Sequence, residues 1–326
     1  MPATTAEAPG GPAESIESSL TRVRAGLSQR SLALGGRIGE QLAAFITRPG
    51  KMLRARFCLH LGASLGVDPK AAESAGQIAE LIHNASLLHD DCIDGATTRR
   101  GRATPNALFN TTTGILLGDL AFTQALDEAL ALSSGALRGI VDAVREMTVG
   151  ELQEEFLRGS IDVTEESYYG VAARKTGALF EWCARCMSDM SPLEHDQSSM
   201  PKLGRSAGIL LQIVDDIHDF TLDSRLSGKD AAQDLSGSRL TLPSLLALKD
   251  PTSSELFLKI WAKASSEPQA ARELAKLLNE RGHLDEARRR ARETLMQMVG
   301  WVKALPNRDD AEELADFMES MARRQF

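Results

Sequence analysis

A disulfide framework is missing from this sequence, because its four cysteines, Cys58, Cys92, Cys183 and Cys186, are too few and too unevenly spaced to staple a secreted domain. A reducing cytoplasm is the expected setting. Cys183 and Cys186 have no second cysteine or histidine pair at zinc-site spacing and lie in an apolar helical stretch, so core thiols are expected. A basic excess is missing too. The net charge of −8 argues against a general affinity for nucleic acid or anionic membrane surfaces. The one dense basic run, Arg288 to Arg290 with Arg292, alternates with Asp285, Glu286 and Glu293 and reads as a solvated helix face. The uncharged stretch Ala107 to Gly118 is too short for a membrane span and carries Thr, Asn and Gly. Glycine and proline number only 26 and 12, and long stretches contain neither, which disfavours a fold of short strands and turns. No segment repeats with a period of about 20 to 50 residues, which argues against a solenoid.

With 326 residues and 43% hydrophobic content, the chain can bury a large core, and one domain over 16–326 is expected. Residues 1–15 are small, polar and rich in Pro and Gly, with neither a basic start nor an apolar run suited to secretion, and are expected to be a disordered tail. Ile78, Leu81, Ile82, Ala85 and Leu88 recur at helical spacing, as do apolar residues from Ile115 to Leu132. Further helical patterns cover 141–157, 168–190, 202–222, 240–248, 254–263, 269–280 and 284–303. Loops are marked at Val67-Asp68-Pro69, Gly95 to Pro105, Ser133-Ser134-Gly135 and Ser191 to Met200. The polar interval from Asp223 to Ser238 is long for a simple connection and reads as a functional loop or lid.

Two acidic clusters stand out, Asp90-Asp91-Cys92-Ile93-Asp94 and Asp215-Asp216-Ile217-His218-Asp219. Each is D-D-x-x-D at the end of an apolar helical run, so its first and last aspartates project from nearly one helix face. Like charges at that spacing destabilise a helix, and desolvation beside an apolar wall adds to the cost. Hard divalent cations compensate such clusters, and magnesium typically takes one or two carboxylates with water and substrate phosphate. One cluster alone could be a solvated helix end; a facing pair could hold several magnesium ions around one diphosphate. Basic segments supply the other half of an anion site: Gly50-Lys51-Met52-Leu53-Arg54, Arg99-Arg100-Gly101 and Lys175-Thr176. His89 and His218 adjoin the acids, but magnesium prefers oxygen, so they are expected to complete local hydrogen-bond networks.

Taken in order, GKMLR at 50–54, ELIHNASLLHDDCIDGATTRRGRATPN at 80–106, LLGD at 116–119, GELQ at 150–153, RKTGALF at 174–180, LLQIVDDIHDF at 210–220, GKD at 228–230 and LTLP at 240–243 resemble the trans-isoprenyl diphosphate synthases. The chain is nearest in motif to long-chain, octaprenyl-type members. The resemblance implies an all-α fold, an antiparallel helix bundle around a deep central cavity, usually as a homodimer. It implies magnesium, three ions per active site, with Asp90, Asp94 and Asp215 as direct ligands and Asp91, Asp216 and Asp219 completing the acidic shells. Arg99, Lys175, Gln212 and Lys229 would hold an allylic diphosphate, with Thr176 and Arg239 counted among the substrate-binding residues. Lys51, Arg54, His83 and Arg100 would hold isopentenyl diphosphate, with Gly50 contributing backbone. Asp90, Asp94, Lys175 and Asp215 are the expected catalytic set.

The implied reaction is ionisation of the allylic diphosphate followed by attack of the isopentenyl double bond, in a cavity kept dry so that water cannot quench the cation. A silent regulatory subunit commonly loses one cluster, whereas this chain keeps both. A terpene cyclase has no need of an isopentenyl site, and its second metal motif usually mixes Asn, Ser or Thr with Glu. Two departures from the family pattern are RPGKMLRA, where many members have GGGKRLRP, and Arg239, where a second lysine is common.

Product length is expected to follow from the helix above the first cluster. At about 100° per residue, Ser86 points within roughly 40° of Asp90 and one turn below it, and Ala85 flanks that line. Bulky aromatic residues at these two positions stop growth at fifteen carbons in the family, and small residues here imply a longer product, unless Phe122 supplies the floor. About 35 to 45 carbons is the first expectation and about 20 the second, both by family analogy.

Overall fold

The computed structural model describes residues 15–48, 50–99, 101–221, 239–264 and 267–323. Arg100, Lys229, the interval 223–238 and nearly all of the N-terminal tail lie outside the described residues. The chain is helical with one short hairpin: α1 (Ile16–Ala33), α2 (Gly36–Ile46), α3 (Leu53–Ser64), α4 (Pro69–Ile93), β1 (Thr98–Arg99), β2 (Arg102–Ala103), α5 (Pro105–Leu108), α6 (Thr111–Leu132) and α7 (Ser134–Phe156). Then follow α8 (Glu165–Ala172), a π-helical turn (Ala173–Gly177), α9 (Ala178–Met190), α10 (Met200–Thr221), α11 (Leu242–Lys249), α12 (Ser254–Ala264), α13 (Pro268–Glu280), α14 (His283–Val302) and α15 (Arg308–Arg323).

Local chemistry sets the ends of these helices. Asp68 opens α4 by accepting from the Ala71 N–H at 3.1 Å, and Pro69 occupies the first helical turn, where its missing donor costs nothing. Ser133 serves two helices: its N–H donates to the Ala129 carbonyl at 3.0 Å, ending α6, and its Oγ accepts from Ala136 N–H at 2.9 Å, starting α7. The stretch Gly95 to Pro105 is more than a loop, since β1 and β2 pair antiparallel across Gly101, whose φ of 70° is readily adopted by glycine.

One large hydrophobic cluster joins α1, α3, α4, α6, α9, α10, α14 and α15, with Ile78, Leu81, Ile82 and Ala85 of α4 at its heart. A smaller cluster gathers Phe257, Leu274, Leu278 and Leu284 from α12, α13 and α14. Cys58, Cys183 and Cys186 are buried and reduced, and burial pushes the Cys186 thiol up to about 12, so these are inert packing groups. The arginine run is a salt-bridged outer face of α14, with Arg288 2.6 Å from Asp285 and Arg289 2.5 Å from Glu286. Among the described residues no helix is long and apolar enough to cross a membrane.

α4 and α6 approach closely because α6 presents glycines to α4. A Cβ at Gly118 would lie 2.3 Å from His89 Nε2, and one at Gly114 2.5 Å from Cys92 Sγ. His89 accordingly sits against α6, 3.1 Å from the Ile115 carbonyl and 3.3 Å from Asp119.

Candidate active site

Both aspartate clusters occupy the C-terminal turns of long helices, Asp90 to Asp94 on α4 and Asp215 to Asp219 on α10. That is the negative end of each helix dipole, where carboxylates are disfavoured, so the fold concentrates negative potential there. Asp90, Asp94, Asp215, Asp216 and Asp219 converge on a cavity of about 440 Å³ that also meets Lys175, Gln212, Arg99 and Arg239. A second cavity, of about 700 Å³, is lined by Gly50, Lys51, Arg54, His83, Thr176 and again Arg99 and Asp215. Leu87, Arg99 and Asp215 line both cavities and so form the wall between them. Of the described residues, Lys175 and Gln212 line the smaller space, Lys51, Arg54 and His83 the larger one, and Arg99 both.

Asp91 departs from its expected place and lines neither cavity. It is buried, accepts from Arg99 Nε at 2.7 Å, and its carbonyl accepts from Asn106 Nδ2 at 3.0 Å. The hairpin after α4 therefore folds back so that Asp91 holds Arg99 at the partition. Asp216 is similarly engaged: Tyr168 Oη donates at 2.6 Å, Leu242 N–H at 2.9 Å and Gln212 Nε2 at 2.9 Å. Gln212 Oε1 in turn accepts from Thr176 Oγ1 at 3.0 Å, which ties α10 to the π-helical turn. Burial pushes Asp216 up, and these donors restrain it at about 6.

The π-helical turn interrupts what the sequence presents as one helix over 168–190. Such turns place an extra residue and often mark functional positions. Here it carries Lys175 and Thr176, and two glycines let neighbouring helices reach it: a Cβ at Gly150 would stand 2.6 Å from Lys175 N, and one at Gly208 2.4 Å from Gly177 Cα. The glycine of GELQ is thus a close-approach residue. Lys175 Nζ lies 2.7 Å from both Glu151 Oε2 and Glu154 Oε2. Burial pulls Lys175 down, but the two glutamates more than reverse this and keep it protonated.

At the larger cavity, Met52 opens α3 with a φ of 48°, an uncommon conformation for a non-glycine residue, at one of the positions where the basic motif departs from the family pattern. Glu80 Oε1 accepts from Ala55 N–H at 3.2 Å and the Arg54 guanidinium lies 5.3 Å from the Phe180 ring centre, which together fix the start of α3. Arg48, which sequence reasoning did not single out, also lines this cavity, stacked 4.1 Å over Phe45 with Nη2 donating to the Ala103 carbonyl at 2.7 Å. Its signal was present, two residues before Gly50 in the same motif. Ala85, Ser86 and Phe122 line neither cavity. Ala85 is fully buried, Ser86 is half-buried with Oγ donating to the His83 carbonyl at 2.9 Å, and Phe122 packs 5.5 Å from the His89 ring.

Residues 37–278 match the family model described as polyprenyl synthetase. The chain belongs to that family. This synthase is 30% identical to the octaprenyl diphosphate synthase of Haemophilus influenzae over 278 residues, 84% of each chain. Its fold is shared with the heptaprenyl diphosphate synthase of Staphylococcus aureus, at a TM-score of 0.86 and 24% identity, covering 96% of this chain and 99% of that one. It is also shared with a polyprenyl synthase of Caulobacter crescentus complexed with calcium and isoprenyl diphosphate, at a TM-score of 0.84 and 23% identity, covering 97% and 100%. The synthase is accordingly a trans-prenyltransferase with the all-α isoprenoid synthase architecture.

The donor chemistry of the cavity suits a hard divalent cation. The cavity acids offer only oxygen, and among the described residues no three His, Cys, Asp or Glu side chains converge tightly enough to enclose an ion alone. Burial pushes Asp90 up, Glu151 adds to this, and Lys175 and Arg99 draw it back to about 7. An aspartate ionising near 3.8 when unfolded and near 7 when folded binds more protons in the folded state between those values. Its contribution to metal-free stability is therefore present at the acid end and is lost as pH rises from about 4 to about 7. In thermal melts without metal, the midpoint of Asp90→Asn relative to wild type will rise across that window; a constant difference would show that Asp90 is not perturbed in this way.

Proposed function

We propose that this chain condenses isopentenyl diphosphate head-to-tail with an allylic diphosphate to give a product longer than fifteen carbons. The division into two adjoining cavities carries this reading, because a coupling enzyme must hold two diphosphates at once with their reactive ends facing. Lys175, Arg99 and Arg239, with Lys229 outside the described residues, would hold the allylic diphosphate. Lys51, Arg54, Arg48 and His83, with Arg100 also outside the described residues, would hold isopentenyl diphosphate. Asp90, Asp94 and Asp215 would bind magnesium, with three ions per site by family analogy. Bound magnesium would neutralise the charge that develops on the departing diphosphate. The allylic C–O bond breaks with its electron pair leaving on the diphosphate, the isopentenyl double bond forms the new C–C bond, and the proton lost is taken by the released diphosphate. Leu87 and Leu211 supply apolar wall where the cation forms, which limits quenching by water.

We assign residues 16–326 to one catalytic domain acting in the cytoplasm as a homodimer. Leu116, Leu130, Leu152 and Phe156, all exposed on α6 and α7 and Phe156 by 81%, support a face for a second copy. Sedimentation at the monomer mass would remove the dimer. The octaprenyl relative and the small side chains of Ala85 and Ser86 favour a product of about 35 to 45 carbons, with about 20 as the second reading. Labelled isopentenyl diphosphate supplied in excess with each of three allylic primers, followed by chromatography of dephosphorylated products, tests this. A wild-type product that stops at fifteen carbons would show that the floor lies elsewhere.

A further inference from the structure

Two carboxylates in the smaller cavity belong to neither aspartate cluster. Glu151 and Glu154 stand three residues apart on one face of α7, and both point at the cations that confront Asp90 and Asp94. Lys175 Nζ is shared equally between them, at 2.7 Å from each. Arg239 is drawn into the same group: Nη1 lies 3.3 Å from Glu154 Oε2, and Nη2 lies 4.0 Å from Glu151 Oε1 and 3.5 Å from Asp94 Oδ1. Lys175, Glu151 and Glu154 are only 25%, 27% and 22% exposed, so these attractions are less screened than those of a surface pair. The described lining of the cavity counts seven carboxyl groups, five aspartates and two glutamates, against three cationic side chains, Arg99, Lys175 and Arg239. A diphosphate arriving alone meets a net negative space whose lysine is already engaged.

We propose that Glu151 and Glu154 are positioning residues that withhold Lys175 and Arg239 from any diphosphate not accompanied by divalent cations. The proposal rests on the reading of this cavity as a diphosphate site. Binding of a metal-free diphosphate would require Lys175 to leave two carboxylates and the phosphate oxygens to approach both of them. With the excess acid charge neutralised by divalent cations, the exchange of Lys175 from glutamate to phosphate oxygen becomes favourable. The glutamates thus make productive binding conditional on metal, and they keep Lys175 extended towards the cavity rather than folded along the wall.

The test is calorimetric titration of inorganic pyrophosphate into the full-length protein, with and without magnesium, for wild type, the Glu151→Gln/Glu154→Gln double variant and the Glu151→Asp/Glu154→Asp double variant. Without magnesium the glutamine variant is expected to bind pyrophosphate about tenfold or more tightly than wild type, since two like charges beside the ligand are gone. With magnesium its advantage shrinks to less than about threefold, and the aspartate variant, which retains both charges, follows wild type in both conditions. Metal-free affinity in the glutamine variant equal to or weaker than wild type would overturn the proposal, as would tight metal-free binding by the aspartate variant. Failure of wild type to bind pyrophosphate with magnesium would instead overturn the reading of the cavity as a diphosphate site.

Discussion

Replacing Asp90 or Asp215 with alanine will lower the condensation rate by about a thousandfold, the scale of losing a principal electrostatic contributor to a charged transition state. The two residues sit on different helices, α4 and α10, yet line one cavity, so each loss removes a carboxylate from one side of a shared acidic cradle. Asp91→Ala will behave differently despite lying in the same motif. Its carboxylate faces Arg99 at 2.7 Å and not the cavity, so its loss frees Arg99 and is expected mainly to raise the Michaelis constants. Steady-state rates with circular dichroism as a folding control distinguish the cases. Retention of most activity in Asp90→Ala or Asp215→Ala would sink the placement of the metal site.

Gly208→Ala is expected to be nearly as damaging, although residue 208 bears no side chain that could touch a substrate. Its added Cβ would stand 2.4 Å from Gly177 Cα, 2.6 Å from Gly177 N and 2.8 Å from the Thr176 carbonyl carbon. These are backbone atoms and cannot turn aside, so α10 and the π-helical turn must separate. Overpacking of this kind costs about 1 to 3 kcal/mol. Because Lys175 and Thr176 ride on that turn, a displacement of about 1 Å should also reduce the rate by about a hundredfold. Gly170→Ala is the control, since nothing lies within 4 Å of its added Cβ and alanine is the better helix former. Equal thermal midpoints and rates for the two variants would contradict the packing account.

Much of this organisation was legible in the residues themselves. The apolar periods over 202–222, 254–263, 269–280 and 284–303 correspond to α10, α12, α13 and α14 within a few residues at each end, and that over 141–157 to the last two thirds of α7, which begins two turns earlier at Ser134. The two D-D-x-x-D motifs were legible because clustered like charges at helix ends have few structural explanations. α1, α2 and α15 were not anticipated. α1 and α15 are built largely of polar and charged residues, and their burial comes from packing against helices distant in sequence. The π-helical turn was hidden because Ala173 to Gly177 continues an ordinary helical pattern, and only the approach of Gly150 and Gly208 shows where it lies. Periodicity also could not separate Asp91 from Asp90. They are neighbours in sequence, but about 100° around α4 turns one to the cavity and the other to Arg99. Glu151 is marked in the sequence only as part of GELQ and Glu154 not at all; what sets the pair apart is Lys175, which reaches both from another element.

The most direct test of the coupling chemistry is a count of two products in one reaction: inorganic pyrophosphate released and isopentenyl units incorporated, followed together with magnesium, an allylic primer and isopentenyl diphosphate. Head-to-tail condensation requires the two to rise one for one at every time point. Pyrophosphate released from the allylic primer without incorporation would mark ionisation followed by cyclisation or hydrolysis and would contradict the assignment of the larger cavity to isopentenyl diphosphate. Neither product appearing with any primer would contradict the assignment of this chain as the catalytic partner.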